Sequence, residues 1–95
     1  MSARLLFYRK QIQSEKELIE MKVWEVPRSR HYPEGIKYSL VYIREGQRAV
    51  GYDNAEGKGH HRHCGRDQQE YAFEGVDILV RDFYLDVAQC GRERQ

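Results

Sequence analysis

Cysteine is scarce: Cys64 and Cys90 are the only two, too few to staple a small secreted domain. A signal-peptide core is missing as well, because Arg4, Arg9 and Lys10 interrupt the apolar residues that follow Met1. These absences lead to the expectation of a reduced, cytoplasmic protein. No apolar run approaches the ~20 residues that a membrane span requires, and 33% of the residues are charged. Membrane roles are therefore set aside. Net charge is nearly absent too, since sixteen Lys and Arg against fifteen Asp and Glu leave +1, so the chain is not a polycation that coats nucleic acid indiscriminately. Any basic surface has to be local. The stretch from Lys58 to Arg66 supplies one, with Lys58, Arg62, Arg66 and three of the four histidines and no acid before Asp67. Repeats and low-complexity tracts are lacking, and 95 residues leave no room for a second core. A single domain over residues 1–95 is expected.

What is present reads as strands followed by one helix. Leu5 to Gln13 carries Leu6, Phe7, Tyr8 and Ile12 among polar residues, and Ser14, Glu15 and Lys16 suit a turn. Ile19, Met21 and Val23 then alternate with Glu20 and Lys22, the period of a strand with one wet face, until Pro27 removes a ladder donor. These two strands form a first hairpin. Arg28 to Gly35 has no periodicity and reads as a connection crossing over the sheet edge. Ile36 to Glu45 is the strongest strand signal, with Tyr38, Leu40 and Tyr42 alternating with Ser39, Val41 and Ile43, so both faces look largely covered. Gly46 turns the chain into Ala49, Val50 and Tyr52, a second hairpin that ends at Asp53-Asn54.

Ala55 to Gln68 contains Gly57, Gly59 and Gly65 and almost nothing apolar, which predicts a surface loop with at most a short strand around Arg62 to Cys64. Tyr71 and Phe73 suit a last short strand. Val76, Leu79, Val80, Phe83 and Val87 recur at helical spacing, with Asp77 in the first turn and Gly91 in the C-cap place, which predicts one amphipathic helix over Gly75 to Cys90. The fold class is α+β: an antiparallel sheet of four to five strands, built from two hairpins, with the C-terminal helix packed on one face. The other face keeps Trp24 and several of the seven tyrosines uncovered. Such a face calls for a partner protein, a twin subunit in a homodimer, or a ligand.

Chemistry concentrates between Tyr52 and Cys64. In one reading Gly57 and Gly59 let backbone amides approach a phosphate, Lys58 and Arg62 neutralise it, and histidines move a proton during phosphodiester cleavage. Imidazole titrates near neutral pH, so neighbouring histidines can serve as base and acid without a metal or any other cofactor. In a second reading His61 and His63 point the same way on an extended strand and, with Asp53, His60 or Cys64, complete a transition-metal site. Lys58 and Arg62 oppose a dication there. In the third the segment is a solvated loop, its glycines for turning and its histidines surface groups. The loop alone does not choose among them.

Elsewhere the bland alternatives weigh more. His31, between Arg30 and Tyr32, reads as structural. Trp24 and Tyr38 can stack RNA bases, yet aromatic residues in a small sheet more often fill a core. Asp82 and Asp86 at i, i+4 read as a solvated helix face, and Cys90 as incidental.

Glu20-Met21-Lys22-Val23-Trp24-Glu25-Val26-Pro27, Gly35-Ile36-Lys37-Tyr38-Ser39-Leu40 and Gly51-Tyr52-Asp53-Asn54-Ala55-Glu56-Gly57-Lys58-Gly59-His60-His61-Arg62-His63 together resemble the TumE family of bacterial toxin–antitoxin proteins. The resemblance covers nearly the whole chain, including the closing helix, and its most specific part is the Tyr-Asp-Asn, Gly-Lys-Gly, His-x-His series. His60 stands where the family has a variable, often acidic position, so His61 and His63 rank ahead of it. The resemblance implies a type II toxin encoded beside a helix-turn-helix antitoxin, which would silence it by covering its active surface. Small toxins of this type commonly act on RNA or translation. The expectation is a metal-independent ribonuclease: His61 and His63 exchange protons, Lys58 and Arg62 hold phosphate with Gly57 and Gly59, and Asp53 orients an imidazole or a loop amide. The alternatives are a non-enzymatic inhibitor that binds nucleic acid or protein, and a metal site using the His-x-His pair.

Overall fold

Alternation of apolar and polar residues is enough to build most of the sheet. The computed structural model describes residues 3–55 and 57–93. Six antiparallel strands, β1 (Arg4–Ser14), β2 (Glu17–Glu25), β3 (Ile36–Arg44), β4 (Gln47–Asp53), β5 (His61–Cys64) and β6 (Asp67–Glu70), lie in the order β1-β2-β3-β4-β5-β6, followed by helix α1 (Val76–Glu93). The expected four to five strands are thus six, because the polar segment after Asn54 folds into the β5–β6 hairpin. Tyr71 and Phe73 lie outside any strand. The connection over residues 28–35 does not cross a sheet edge, since β2 and β3 are paired neighbours from Glu17↔Arg44 to Glu25↔Ile36. The β3–β4 turn is the two-residue kind: Glu45 and Gly46 both have positive φ, 53° and 77°, a twist that matches the flanking strands.

Strand register decides what the helix covers. Met21, Leu40 and Tyr52 stand side by side across β2, β3 and β4, as do Ile19, Tyr42 and Val50. All six are buried, and the helix contributes Leu79, Phe83 and Cys90 to the same core. Full burial of side chains the size of Leu79 or Phe83 is worth about 1.5–3 kcal/mol each. Cys90 is therefore a core residue, and Tyr38, Tyr42 and Tyr52 turn toward the helix instead of being left over on the far face. The other side of β3 is only half-buried at Ser39, Val41 and Ile43, so one face of that strand is covered and one is not. Helix α1 continues through Gly91 to Glu93, which removes the expected C-cap there.

The acids on the helix are not a solvated face. Asp86 is 8% exposed and accepts hydrogen bonds from the Tyr52 hydroxyl at 2.5 Å and from Arg62 Nε and Nη2 at 2.5 and 2.7 Å. Asp82 accepts one from the Tyr71 hydroxyl at 2.6 Å, which holds its carboxyl below the usual range. These bonds tie β5 and the segment after β6 to the helix. At the end of β4, buried Asn54 accepts from the Tyr38 amide and donates to the Ile36 carbonyl, at 2.9 and 2.7 Å. It fixes where the chain leaves the sheet.

Candidate functional site

On the face opposite the helix, strand pairing gathers titratable groups. Asp53 stands across from His61, and Gly51 across from His63. Because side chains two apart on a strand share a face, Asp53, His61 and His63 all project from the open side. The His63 Nε2 atom lies 3.5 Å from Asp53 Oδ2, with 15% and 31% of the two side chains exposed. That contact leaves the other ring nitrogen, Nδ1, as the proton acceptor of the neutral imidazole. The His61 Nε2–H donates to the Lys58 carbonyl, and the Gln68 amide lies 3.4 Å from His61 Nδ1. Both rings are therefore oriented, one by a carboxylate and one by the loop and β6.

A cation that composition does not single out joins them. A register shift between Tyr42 and Ile43 pairs Ile43 with Arg48 and so turns Arg48 onto the open face, although Val50 and Tyr52 of the same strand face the helix. Its side chain lies over Gly51: a Cβ there would meet Arg48 Cδ at 2.9 Å. Gly51 in a strand interior is the available signal for this, since glycine in such a place marks a close approach. Burial and then the Arg48 charge push His63 below the ordinary histidine value, against an opposing pull from Asp53. Folding therefore disfavours protonated His63. Its contribution to stability is present above pH 6.5, the ordinary value, and fades as the pH falls through the depressed one.

Replacing Arg48 by glutamine, which removes the charge and keeps the bulk, is expected to move the His63 titration upward toward the ordinary value in an NMR titration of the imidazoles. An unmoved His63 would take Arg48 out of the site.

The remaining loop residues are distributed more widely. Lys58 is exposed on the turn, its amide bonded to the Ala55 carbonyl at 3.1 Å, and Gly57 and Gly59 both have positive φ, 80° and 71°. Arg62 lies on the opposite face, its fork bound to Asp86 with Gln69 Oε1 3.5 Å away. Asp86 is the largest reason that its guanidinium holds its proton even more firmly than usual. His60 points away from His61: it stacks on Phe73 at 4.9 Å, its Nδ1 lies 2.8 Å from the Tyr38 hydroxyl, and its Nε2 lies 3.3 Å from Glu34. His31 is exposed in the connection before β3. The half-buried indole of Trp24 shares the open face, with Lys37 Nζ 5.8 Å from its centroid, whereas Tyr38 is core. Among the described residues no three His, Cys, Asp or Glu side chains are placed to hold one metal ion. His60 and Cys64 do not converge with Asp53, His61 and His63.

No helix among the described residues is long and apolar enough to cross a membrane. No curated protein and no solved structure matches the chain. A family model described as toxin TumE, in contrast, matches residues 2–90. That span takes in every strand, both paired histidines and nearly all of the helix, so the chain belongs to the TumE toxin family.

Proposed function

We propose that this toxin acts on RNA as a metal-independent ribonuclease centred on Asp53, His61, His63 and Arg48. The observation that carries the reading is His63: an imidazole whose proton affinity is depressed, oriented by a carboxylate 3.5 Å away, on the same strand face as a second oriented imidazole. A base that is mostly neutral at pH 7 beside a potential acid is what cleavage next to a ribose hydroxyl requires. His63 Nδ1 takes the proton of the 2′-hydroxyl as its oxygen bonds to phosphorus. The bond from phosphorus to the 5′-oxygen breaks, and the imidazolium of His61 gives that oxygen a proton. With the His61 Nε2–H held by the Lys58 carbonyl, that proton leaves from Nδ1, and the Gln68 amide moves aside to admit the leaving oxygen. Arg48 and Lys58, with the amides of Gly57 and Gly59, face the negative charge gathering on the phosphorus oxygens.

Arg62 has no part in phosphate contact in this scheme, its fork being engaged with Asp86. Family membership implies an antitoxin partner. In this reading it is a helix-turn-helix protein that silences the toxin by covering the open face. The test is purified protein and a single-stranded RNA in EDTA, with the fragment ends identified by mass spectrometry. Fragments ending in 2′,3′-cyclic phosphate are expected. Cleavage only with an added divalent cation would sink the metal-independent mechanism, and intact RNA from an active toxin would leave inhibition by binding.

A further inference from the structure

At the far edge of the sheet from the histidines, β1 offers a pairing surface. It is eleven residues long, is paired on one side only, and exposes Leu5, Leu6, Tyr8 and Ile12 by 54%, 45%, 49% and 76%. An edge strand this long presents a row of unpaired amides and carbonyls that another chain can complete. Protective features are few: the strand has no proline, and its bulges, between Leu5 and Phe7 and between Ile12 and Ser14, lie toward its ends. Beside it, a cleft of about 460 Å³ opens toward the helix, lined by Leu6, Phe7, Val23, Val76 and Val80, with Arg9 and Asp77 as its charges.

Charge selects the occupant. Between Arg4 and Ser14 the strand holds Arg4, Arg9 and Lys10 and no acid. Arg4 pairs with Glu25 at 3.2 Å, while neither Arg9 nor Lys10 forms an ion pair among the described residues. Register places Arg9 on the helix side with Met21 and Lys10 on the open side with Glu20, so an added strand meets a cation on each face. A second copy of this chain fits badly, because full antiparallel overlap of β1 with itself sets Arg9 opposite its own copy, and like charges facing each other destabilise a pair.

We infer that the β1 edge receives an extended protein segment in which acidic and apolar residues alternate, donated by the antitoxin that family membership implies. The segment completes the β1 backbone ladder and drops an apolar side chain into the Leu6 to Val80 cleft on the helix side, where Arg9 stands beside Asp77, and its carboxylates, all on the other face, meet Lys10. This anchor lies four strands, roughly 19 Å at ~4.8 Å per strand, from β5, so it holds the antitoxin without requiring the histidine site and is independent of the proposed ribonuclease mechanism.

The experiment uses the full chain and three labelled eleven-residue peptides: alternating valine and glutamate, alternating valine and lysine, and the glutamate peptide N-methylated at alternate residues. Binding is read by fluorescence anisotropy and by amide shifts in NMR spectra. The glutamate peptide is expected to bind, with shifts confined to residues 4–14 and the cleft. N-methylation on the pairing edge should abolish binding, the lysine peptide should not bind, and the Arg9→Glu/Lys10→Glu variant should bind roughly tenfold more weakly at low salt. Equal binding of the lysine peptide, or an unaffected double variant, would overturn the proposal. So would a self-association in sedimentation that the same variant abolishes, or a loss of RNA binding in that variant with peptide affinity unchanged.

Discussion

Induced expression of the His63→Ala variant is expected to leave growth and cellular RNA intact, where the wild type arrests growth and produces new RNA fragments. Removing a general base typically costs about 10²–10⁴ in rate, so fragments from the variant should fall below detection at equal protein level. The fold should survive. His63 lies outside the core cluster, so the change should cost about 1 kcal/mol, the usual size for a point substitution. Thermal unfolding and antitoxin capture therefore serve as the controls. Arrest and fragments equal to wild type would move the chemistry off this face.

The pH profile of the wild type adds an independent check. His63 works as a base only when neutral, and its proton affinity is depressed by burial and by Arg48. The acid limb of cleavage, set by His63, should lie below pH 6.5, the ordinary histidine value, and an alkaline limb should follow where the His61 acid loses its proton. In the Arg48→Gln variant the acid limb should shift to higher pH as the depressing charge is lost. Asp53→Asn should move the limb to still lower pH, because the opposing pull of the carboxylate is lost, and should lower the rate, because the amide can present its NH2 group to Nε2 and misorient the ring.

The two large hairpins and the helix were legible because each buries a periodic apolar face: Ile19, Met21 and Val23 at period two, and Leu79 and Phe83 at helical spacing. Of the hairpin of β5 and β6 only the short strand around Arg62 to Cys64 was legible, since His61 to Cys64 and Asp67 to Glu70 carry no apolar alternation. Backbone pairing to β4 and the Arg62–Asp86 bonds hold it instead. The convergence of His61 and His63 follows from strand periodicity alone, and the same periodicity sends Arg62 to the other face, so grouping all three at one phosphate conflicted with the geometry of any strand there. Arg48 was hidden for a different reason. Only the register shift after Tyr42 brings it to the open face, and a bulge has no signature in a single sequence beyond the nearby Gly51.

That reassignment of Arg62 carries a large expected stability effect. Asp86→Ala leaves the Arg62 guanidinium without its carboxylate and the Tyr52 hydroxyl, on a residue 2% exposed, without its acceptor. Removing one partner of a buried pair costs about 3–5 kcal/mol. A third of the Arg62 side chain still reaches water, which places this case near the lower end, about 3 kcal/mol, or roughly 15 °C in melting temperature for a domain of this size. Arg62→Ala should destabilise as well, and the double variant should lose clearly less than the sum, because both single changes break the same bonds. Additive losses would show that the pair is not the unit. Since Arg62 sits between His61 and His63 on β5, loosening its anchor should also lower cleavage in the fraction that remains folded, although Asp86 lies on the far side of the sheet. Arg62→Met with Asp86→Leu separates the two roles. If Arg62 serves only to seat the strand, an apolar pair of similar size should restore much of the stability and part of the activity. If it held phosphate, stability would return and activity would not.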